Sequence, residues 1–273
     1  MKSLRKLVVL LVVVGVFGAL PASAQIITEN TPEPTAPPPV EILIPEILAT
    51  HPHDPAAFTQ GLLLQDGTLY ESTGLYGQSS LREVDPETGE VLREVDLPEE
   101  VFAEGLTLVD DHLLQLTWQE HLVYSYDFDS FEPLTTFEDY PEEGWGICYD
   151  GESLYTSDGS DQIIVRDPDT LEELDRLDVR VQGQVVNMIN ELECVGDFIY
   201  ANIWQTDYIV RIDKADGNVS AVIDAQNLLT AEQRATLASG SVLNGIAYDP
   251  ESETFLITGK RWSWLFEVQF VEP

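Results

Sequence analysis

Positive charge is what this chain has least of. Lys and Arg together number 13 against 49 Asp and Glu, for a formal net charge of −36. Nucleic acid and anionic membrane surfaces would both repel such a chain, so neither is an expected partner. Beyond the first ten residues the only lysines are Lys214 and Lys260. Cysteine occurs twice, at Cys148 and Cys194, without zinc spacing. The four histidines, His51, His53, His112 and His121, show no HExxH or paired metal pattern. There is no GxSxG elbow for a serine nucleophile and no phosphate-binding loop. A full EF-hand loop is missing too, and Asp213-Lys-Ala-Asp-Gly reads as a hairpin turn. No metal ligand set is therefore predicted.

What is present begins with a targeting pattern. Lys2, Arg5 and Lys6 precede an apolar run from Leu7 to Leu20, and Ala22-Ser23-Ala24 is a small-x-small cleavage site. Residues 1–24 read as a signal peptide, with an uncleaved signal anchor as the alternative. The expected location is secreted or periplasmic. No Cys follows the apolar run to carry a lipid. Cleavage would leave the chain three charges more negative, a shell that favours a soluble monomer. Residues 25–45 contain TPEPTAPPPVEILIP and read as a Pro-rich disordered linker. Residues 46–273 are enough for one all-β domain. An oxidising compartment permits a Cys148–Cys194 disulfide, and two buried thiols are the other reading.

The domain repeats itself. Phe58-Thr-Gln-Gly-Leu-Leu-Leu returns as Phe102-Ala-Glu-Gly-Leu-Thr-Leu, as Gly144-Trp-Gly-Ile-Cys-Tyr, as Asn190-Glu-Leu-Glu-Cys-Val and as Leu243-Asn-Gly-Ile-Ala-Tyr. Each copy continues with period-two apolar alternation broken by Asp, Gly and Pro, which means strand–turn–strand. Four short strands per 40–50 residues, roughly, is the mark of a propeller blade. The expected fold is an all-β, five-bladed β-propeller. The fifth copy has room for only three strands, so Glu41–Ala49 is predicted to close the last blade from the N-terminal side. Ala225–Leu243 carries helical spacing, with Thr230 and Gln233 as a capping box.

Equivalent positions in the copies lie at equivalent points around the axis. The residue before the repeat glycine is Gln60, Glu104, Trp145, Asn190 or Asn244. A second ring, past strand two, holds Gly74, Trp118, Gly159, Trp204 and Lys260. Purely structural slots would be filled alike. These are filled differently, with a carboxylate, carboxamides, three Trp and a Lys, which suits a pocket with aromatic walls and convergent polar groups. The bland readings are core packing for the Trp, a surface carboxylate for Glu104 and an ion-pair partner for Lys260. Phe58 and Phe102 sit two residues before ring positions and read equally well as packing.

The phrases HDPAAFTQGL, FAEGLTL, LTW, EGWGICYDG, NELE, NIWQTDYIVRID, LNGIAYD and TGKRW resemble the glutamine cyclotransferase family of plants and bacteria. The likeness runs from about Leu48 to Phe270. It implies a five-bladed propeller and an aminoacyltransferase that turns N-terminal glutaminyl residues of peptides into pyroglutamyl, releasing ammonia. It also implies roles. Glu104 matches the acid/base carboxylate, and Lys260 is the second catalytic candidate, stabilising an oxyanion or holding Glu104. Phe58, Gln60, Trp118, Trp145, Asn190 and Trp204 match the substrate pocket. No cofactor is expected for catalysis, with room left for a structural calcium. In TGKRW, Trp262 and Trp264 are expected to crowd Lys260 and alter substrate range. A Trp-walled site would raise the Glu104 pKa and Lys260 would lower it; the sequence leaves the winner open.

Two other classes fit parts of the pattern. A calcium-dependent lactonase-like propeller hydrolase would use Gln60, Glu104, Asn190 and Asn244 as oxygen ligands. A non-catalytic peptide-binding propeller would use only the aromatic mouth.

Overall fold

The computed structural model describes residues 39–273. The predicted signal peptide, 1–24, and linker residues up to 38 lie outside the described residues.

Strands follow one another as antiparallel neighbours wherever an Asp-led turn reverses the chain. The first sheet holds β2 (Thr59–Gln65), β3 (Thr68–Thr73), β4 (Ser80–Val84) and β5 (Val91–Asp96), after β1 (Glu41–Pro52). The second holds β6 (Ala103–Val109), β7 (His112–Thr117), β8 (Val123–Asp127) and β9 (Pro133–Phe137). The third holds β10 (Ile147–Tyr149), β11 (Leu154–Thr156), β12 (Gln162–Arg166) and β13 (Glu173–Asp178), followed by a small ribbon of β14 (Arg180–Val181) and β15 (Gln184–Val185). Then come β16 (Ile189–Val195), β17 (Phe198–Ile203), β18 (Tyr208–Asp213) and β19 (Val219–Asp224), the helix α1 (Ala231–Thr236), and β20 (Leu243–Asp249), β21 (Thr254–Gly259) and β22 (Trp264–Val271). Between β4 and β5, β8 and β9, and β12 and β13 the turn is fixed the same way. Asp85, Asp127 and Asp167 each accept backbone N–H bonds from residues two or three further on.

The protein is all-β and propeller-like. The first strands form a closed ring in which β2 touches β6, β6 touches β10, β10 touches β16, β16 touches β20 and β20 touches β2. The repeat glycines permit this. A Cβ on Gly61 would strike the Leu106 backbone, one on Gly105 the Trp145 carbonyl, and one on Gly146 the Asn190 carbonyl. Apolar residues of facing sheets fill the space between, as in the cluster of Leu62, Leu69, Val84, Ala247, Leu256 and Leu265.

The ring is closed by β1. Ile44–Pro52 pairs antiparallel with β22, so the predicted N-terminal strand does complete the last sheet. Glu41–Leu43 also pairs parallel with β19, which joins the last two repeats into one eight-stranded sheet. Residues 41–45, assigned by composition to the linker, are therefore strand. Their apolar residues find a backbone partner on each side, and Leu43 is buried. The predicted helix is present as α1, with both bonds of the Thr230–Gln233 capping box.

Two cross-links reinforce closure. Cys148 of β10 and Cys194 of β16 form a disulfide between neighbouring sheets. His53, just after β1, lies buried against Glu71 of β3. Its Nε2 is 3.0 Å from Glu71 Oε1, and its Nδ1 is 2.8 Å from the Trp262 carbonyl. Thr59 Oγ1 donates to the same Glu71 oxygen at 2.7 Å. Burial opposes the imidazolium, yet Glu71, the Trp262 carbonyl and Asp54 together hold the His53 pKa above its ordinary value. Burial likewise opposes the Glu71 carboxylate, and His53 and Thr59 hold its pKa below the usual range.

Replacing both cysteines with serine removes a cross-link spanning 46 residues and should lower unfolding stability by about 4 kcal/mol, read by urea titration. His53→Ala strands a buried carboxylate and should cost about 3 kcal/mol at neutral pH. A raised histidine pKa adds stability that is full below the unfolded value of ~6.5 and is lost as pH rises through the folded value. The gap between wild type and His53→Ala should therefore narrow on the alkaline side in the same titration.

Candidate active site

Ladder breaks aim the site. Along β2, Thr59 faces Thr73 and Gly61 faces Ser72, leaving Gln60 as the extra residue. On β6, Ala103 faces Thr117 and Leu106 faces Gln115; on β16, Ile189 faces Ile203 and Leu192 faces Ala201. Such bulges release a side chain from strict in–out alternation. They turn Gln60, Glu104 and Asn190 toward one end of the ring of first strands.

There the structure brings together all eight residues that the family resemblance assigned to the site. Phe58, Gln60, Glu104, Trp118, Trp145, Asn190, Trp204 and Lys260 line one cavity of about 220 Å³. The walls are aromatic and packed edge to face. Phe102 meets Phe58 at 6.2 Å and Trp118 at 5.6 Å, and Trp145 meets Trp204 at 5.5 Å. The two ring glycines are seats for these rings. A Cβ on Gly74 would strike the Phe102 ring, and one on Gly159 would strike the Trp145 indole.

The polar groups are buried and linked. Lys260 Nζ donates to Gln60 Oε1, and Gln60 Nε2 donates to Glu104 Oε1 at 3.0 Å. Gln60 thus stands between the cation and the carboxylate. Lys260 also lies 4.9 Å from the centre of the Phe58 ring. Burial dominates the electrostatics of the pair. It raises the Glu104 pKa well above the carboxylate range, with Lys260 pulling down and Glu120 and Glu143 pushing further up. It also lowers Lys260 to about 8, against the pull of Glu104 and Glu191. The competition between dry walls and the nearby Lys is decided for the walls. Asn190, which lines the cavity, has a buried Oδ1 with no partner among the described residues.

These motifs and this geometry have counterparts. The sequence model of the glutamine cyclotransferase family matches residues 19–270. The chain belongs to that family. A glutaminyl-peptide cyclotransferase of Arabidopsis thaliana is 41% identical over 231 residues, covering 82% of this chain and 70% of that one. The crystal structure of Myxococcus xanthus glutaminyl cyclase superposes with a TM-score of 0.80 at 37% identity, covering 85% of this chain and 99% of that one.

Within this family member two expectations need correcting. Trp262 and Trp264 do not line the cavity. Trp262 is buried behind it, stacked on Gly259 where any Cβ would collide with the indole, and it packs in the core with Leu243 and Phe266. Asn244 is not at the cavity either. Its Nδ2 donates to the Thr59 carbonyl at 3.0 Å, which ties β20 to β2. The lining residue noted from sequence but left outside the predicted pocket set is Phe102. Its signal was its place, since it precedes Glu104 as Phe58 precedes Gln60.

Lys260→Met removes the cation that holds Glu104 down. The Glu104 carboxyl should then titrate at still higher pH than in the wild type, as followed by carbon-13 NMR of the labelled side chain.

Proposed function

We propose that this glutaminyl-peptide cyclotransferase works through Glu104 as a single acid/base group in a dry, aromatic pocket. The observation that carries this reading is the buried Glu104 carboxyl, held above its ordinary pKa and, among the described residues, hydrogen-bonded through its side chain only to Gln60. A peptide α-amine is mostly protonated at neutral pH, with a reference pKa of ~7.7–8.0. A carboxylate of raised pKa can take that proton. The freed amine attacks the γ-carboxamide carbon of the same residue, and a C–N bond forms to close the five-membered lactam. The carbonyl oxygen gains negative charge as it does so. Glu104 then returns its proton to the amide nitrogen, the ring nitrogen releases its remaining extra proton to solvent, the old C–N bond breaks, and ammonia leaves with the pyroglutamyl peptide.

The other residues position and stabilise. Asn190 Oδ1 accepts from the substrate nitrogen, which would satisfy an otherwise orphaned acceptor. Lys260 serves charge balance, and its lowered pKa lets it lend or withhold a proton near neutrality. Gln60 transmits its position to Glu104. Phe58, Trp118, Trp145 and Trp204 hold the glutaminyl side chain folded, and this near-attack shape supplies a large share of the rate.

The same reading covers the finer points of architecture and location. The three separate sheets and the two halves of the eight-stranded sheet are taken as five blades, the last completed by β1. Export is supported by the N-terminal pattern and by the Cys148–Cys194 disulfide, which an oxidising compartment favours. The protein is proposed to act as a monomer with no catalytic cofactor. The calcium-hydrolase reading is weakened by the ligands themselves. The Gln60 carbonyl is taken by Lys260, and Asn244 faces the β2 backbone.

The test is ammonia release from a short Gln-initiated peptide in EDTA, with an N-acetylated peptide as control. Only the free peptide should turn over, and Glu104→Gln should lower kcat by about 10²- to 10⁴-fold. Failure of well-folded wild type to release ammonia, or full activity in Glu104→Gln, would sink the reading.

A further inference from the structure

The aromatic wall of the pocket is not continuous. Phe58, Phe102 and Trp118 form one edge-to-face run, and Trp145 and Trp204 form another. No ring-to-ring contact joins Trp118 to Trp145 among the described residues. The gap is crossed by Glu143, a residue outside the lining. Its Oε2 accepts from the Trp118 indole at 2.8 Å and from the Trp145 indole at 3.2 Å, while its Oε1 accepts from Gln119 Nε2 at 2.8 Å.

We infer that Glu143 is a positioning residue for cyclisation, clasping both indoles into one wall and fixing a negative charge beside Glu104. The inference rests on the acid/base reading of Glu104.

The local chain explains why this residue can do both. Gly144 N donates to the carbonyls of Thr117 and Trp118 at 3.1 Å each, which lays Glu143 against the end of β7 where Trp118 begins. A side chain at position 144 would strike the Thr117 carbonyl. Trp145 follows two residues on, so one carboxylate reaches indoles from two different sheets. Burial works against the Glu143 charge, but Gln119, Trp118, Trp145 and His121 together keep its pKa below the usual range. The Glu143 pKa is thus held down while that of Glu104 is pushed up. Two neighbouring carboxyls with opposed tendencies are the arrangement that separates a fixed charge from a working acid/base. The charged groups acting on Glu104 are Lys260 from the end of β21, Glu120 from the end of β7 and Glu143 itself. Glu120 accepts from Tyr76 and from the Phe102 N–H rather than from either indole.

Charge and clasp can be separated. In Glu143→Gln a single amide oxygen can still take both indole N–H groups, because both donate to the same oxygen in the wild type. In Glu143→Ala the clasp is lost. The readouts are kcat and KM across pH for a Gln-initiated peptide and the indole N–H resonances of nitrogen-15 Trp-labelled protein. Glu143→Ala should move the Trp118 and Trp145 resonances and lower kcat/KM by about tenfold or more. Glu143→Gln should restore KM and both resonances. It should also shift the acid limb of kcat/KM to lower pH, since a charge that raised the Glu104 pKa is gone. Glu120→Gln should shift the limb the same way without moving the indole resonances. Unchanged kcat/KM in Glu143→Ala, or an unmoved acid limb in Glu143→Gln, overturns the inference. Should wild type release no ammonia, the acid/base reading itself fails. The indole resonances and the Glu104 titration then still decide for or against the clasp.

Discussion

The structure depends on how closely neighbouring first strands can approach around the axis. Gly61, Gly105 and Gly146 each lie where a Cβ would meet the backbone of the next repeat. That contact sets the diameter of the ring, and the diameter sets which side chains can reach one another at its mouth. It also forces the adjacent residue out of the ladder. Gln60 and Glu104 each precede such a glycine and sit in a bulge. Packing constraint and active-site aim are thus two consequences of one local geometry. Widening the ring by a methyl group would separate groups that act only when within hydrogen-bond reach.

The fourth repeat departs from that rule and shows what the axis demands. Glu191 stands where the others have glycine. Its carboxylate is buried and takes the Leu62 N–H at 3.3 Å and the Ile246 N–H at 2.9 Å. It ties β16 to the first strands β2 and β20, satisfying two buried amides. Burial and Glu193 push its pKa well above the ordinary value, with the two N–H groups and Lys260 opposing. Among the described residues no cation forms an ion pair with it, so burial is the largest influence on this carboxyl.

Much of this was legible from the chain. The repeated phrases gave the strands, the count of strands in the last copy required an N-terminal closing strand, and Thr230 with Gln233 gave the helix cap. The ring argument found the polar site residues because they break a five-fold pattern. What it could not find were residues that look ordinary. Phe102 reads as core until Gly74 is seen to make room for its ring. Glu143 is one acid among 49, and only the indole bonds distinguish it. Trp262 misled for the converse reason. Its position beside Lys260 in sequence suggested a shared pocket, but the turn sends it behind the strand into space left by Gly259. The linker boundary failed because proline content describes a segment's average, whereas strand β1 needs only a few apolar residues and two open edges.

The balance of charge at the site illustrates why composition says little about chemistry. The chain carries a large negative charge, yet this surface field is screened within about 8–10 Å at ordinary ionic strength. Among described residues every Lys or Arg except Lys260 and Arg261 is ion-paired with a carboxylate. Lys260 instead meets an amide and the Phe58 ring, neither of which neutralises it. In a protein so rich in acids, Lys260 lacks an ion pair because Gln60 stands between it and Glu104. Exclusion of water raises the Glu104 pKa and lowers that of Lys260. The two shifts move acid and base toward each other, which lowers the cost of passing a proton. That convergence is a property of the buried pair and its linking amide, and it would survive wholesale changes in the acidic surface.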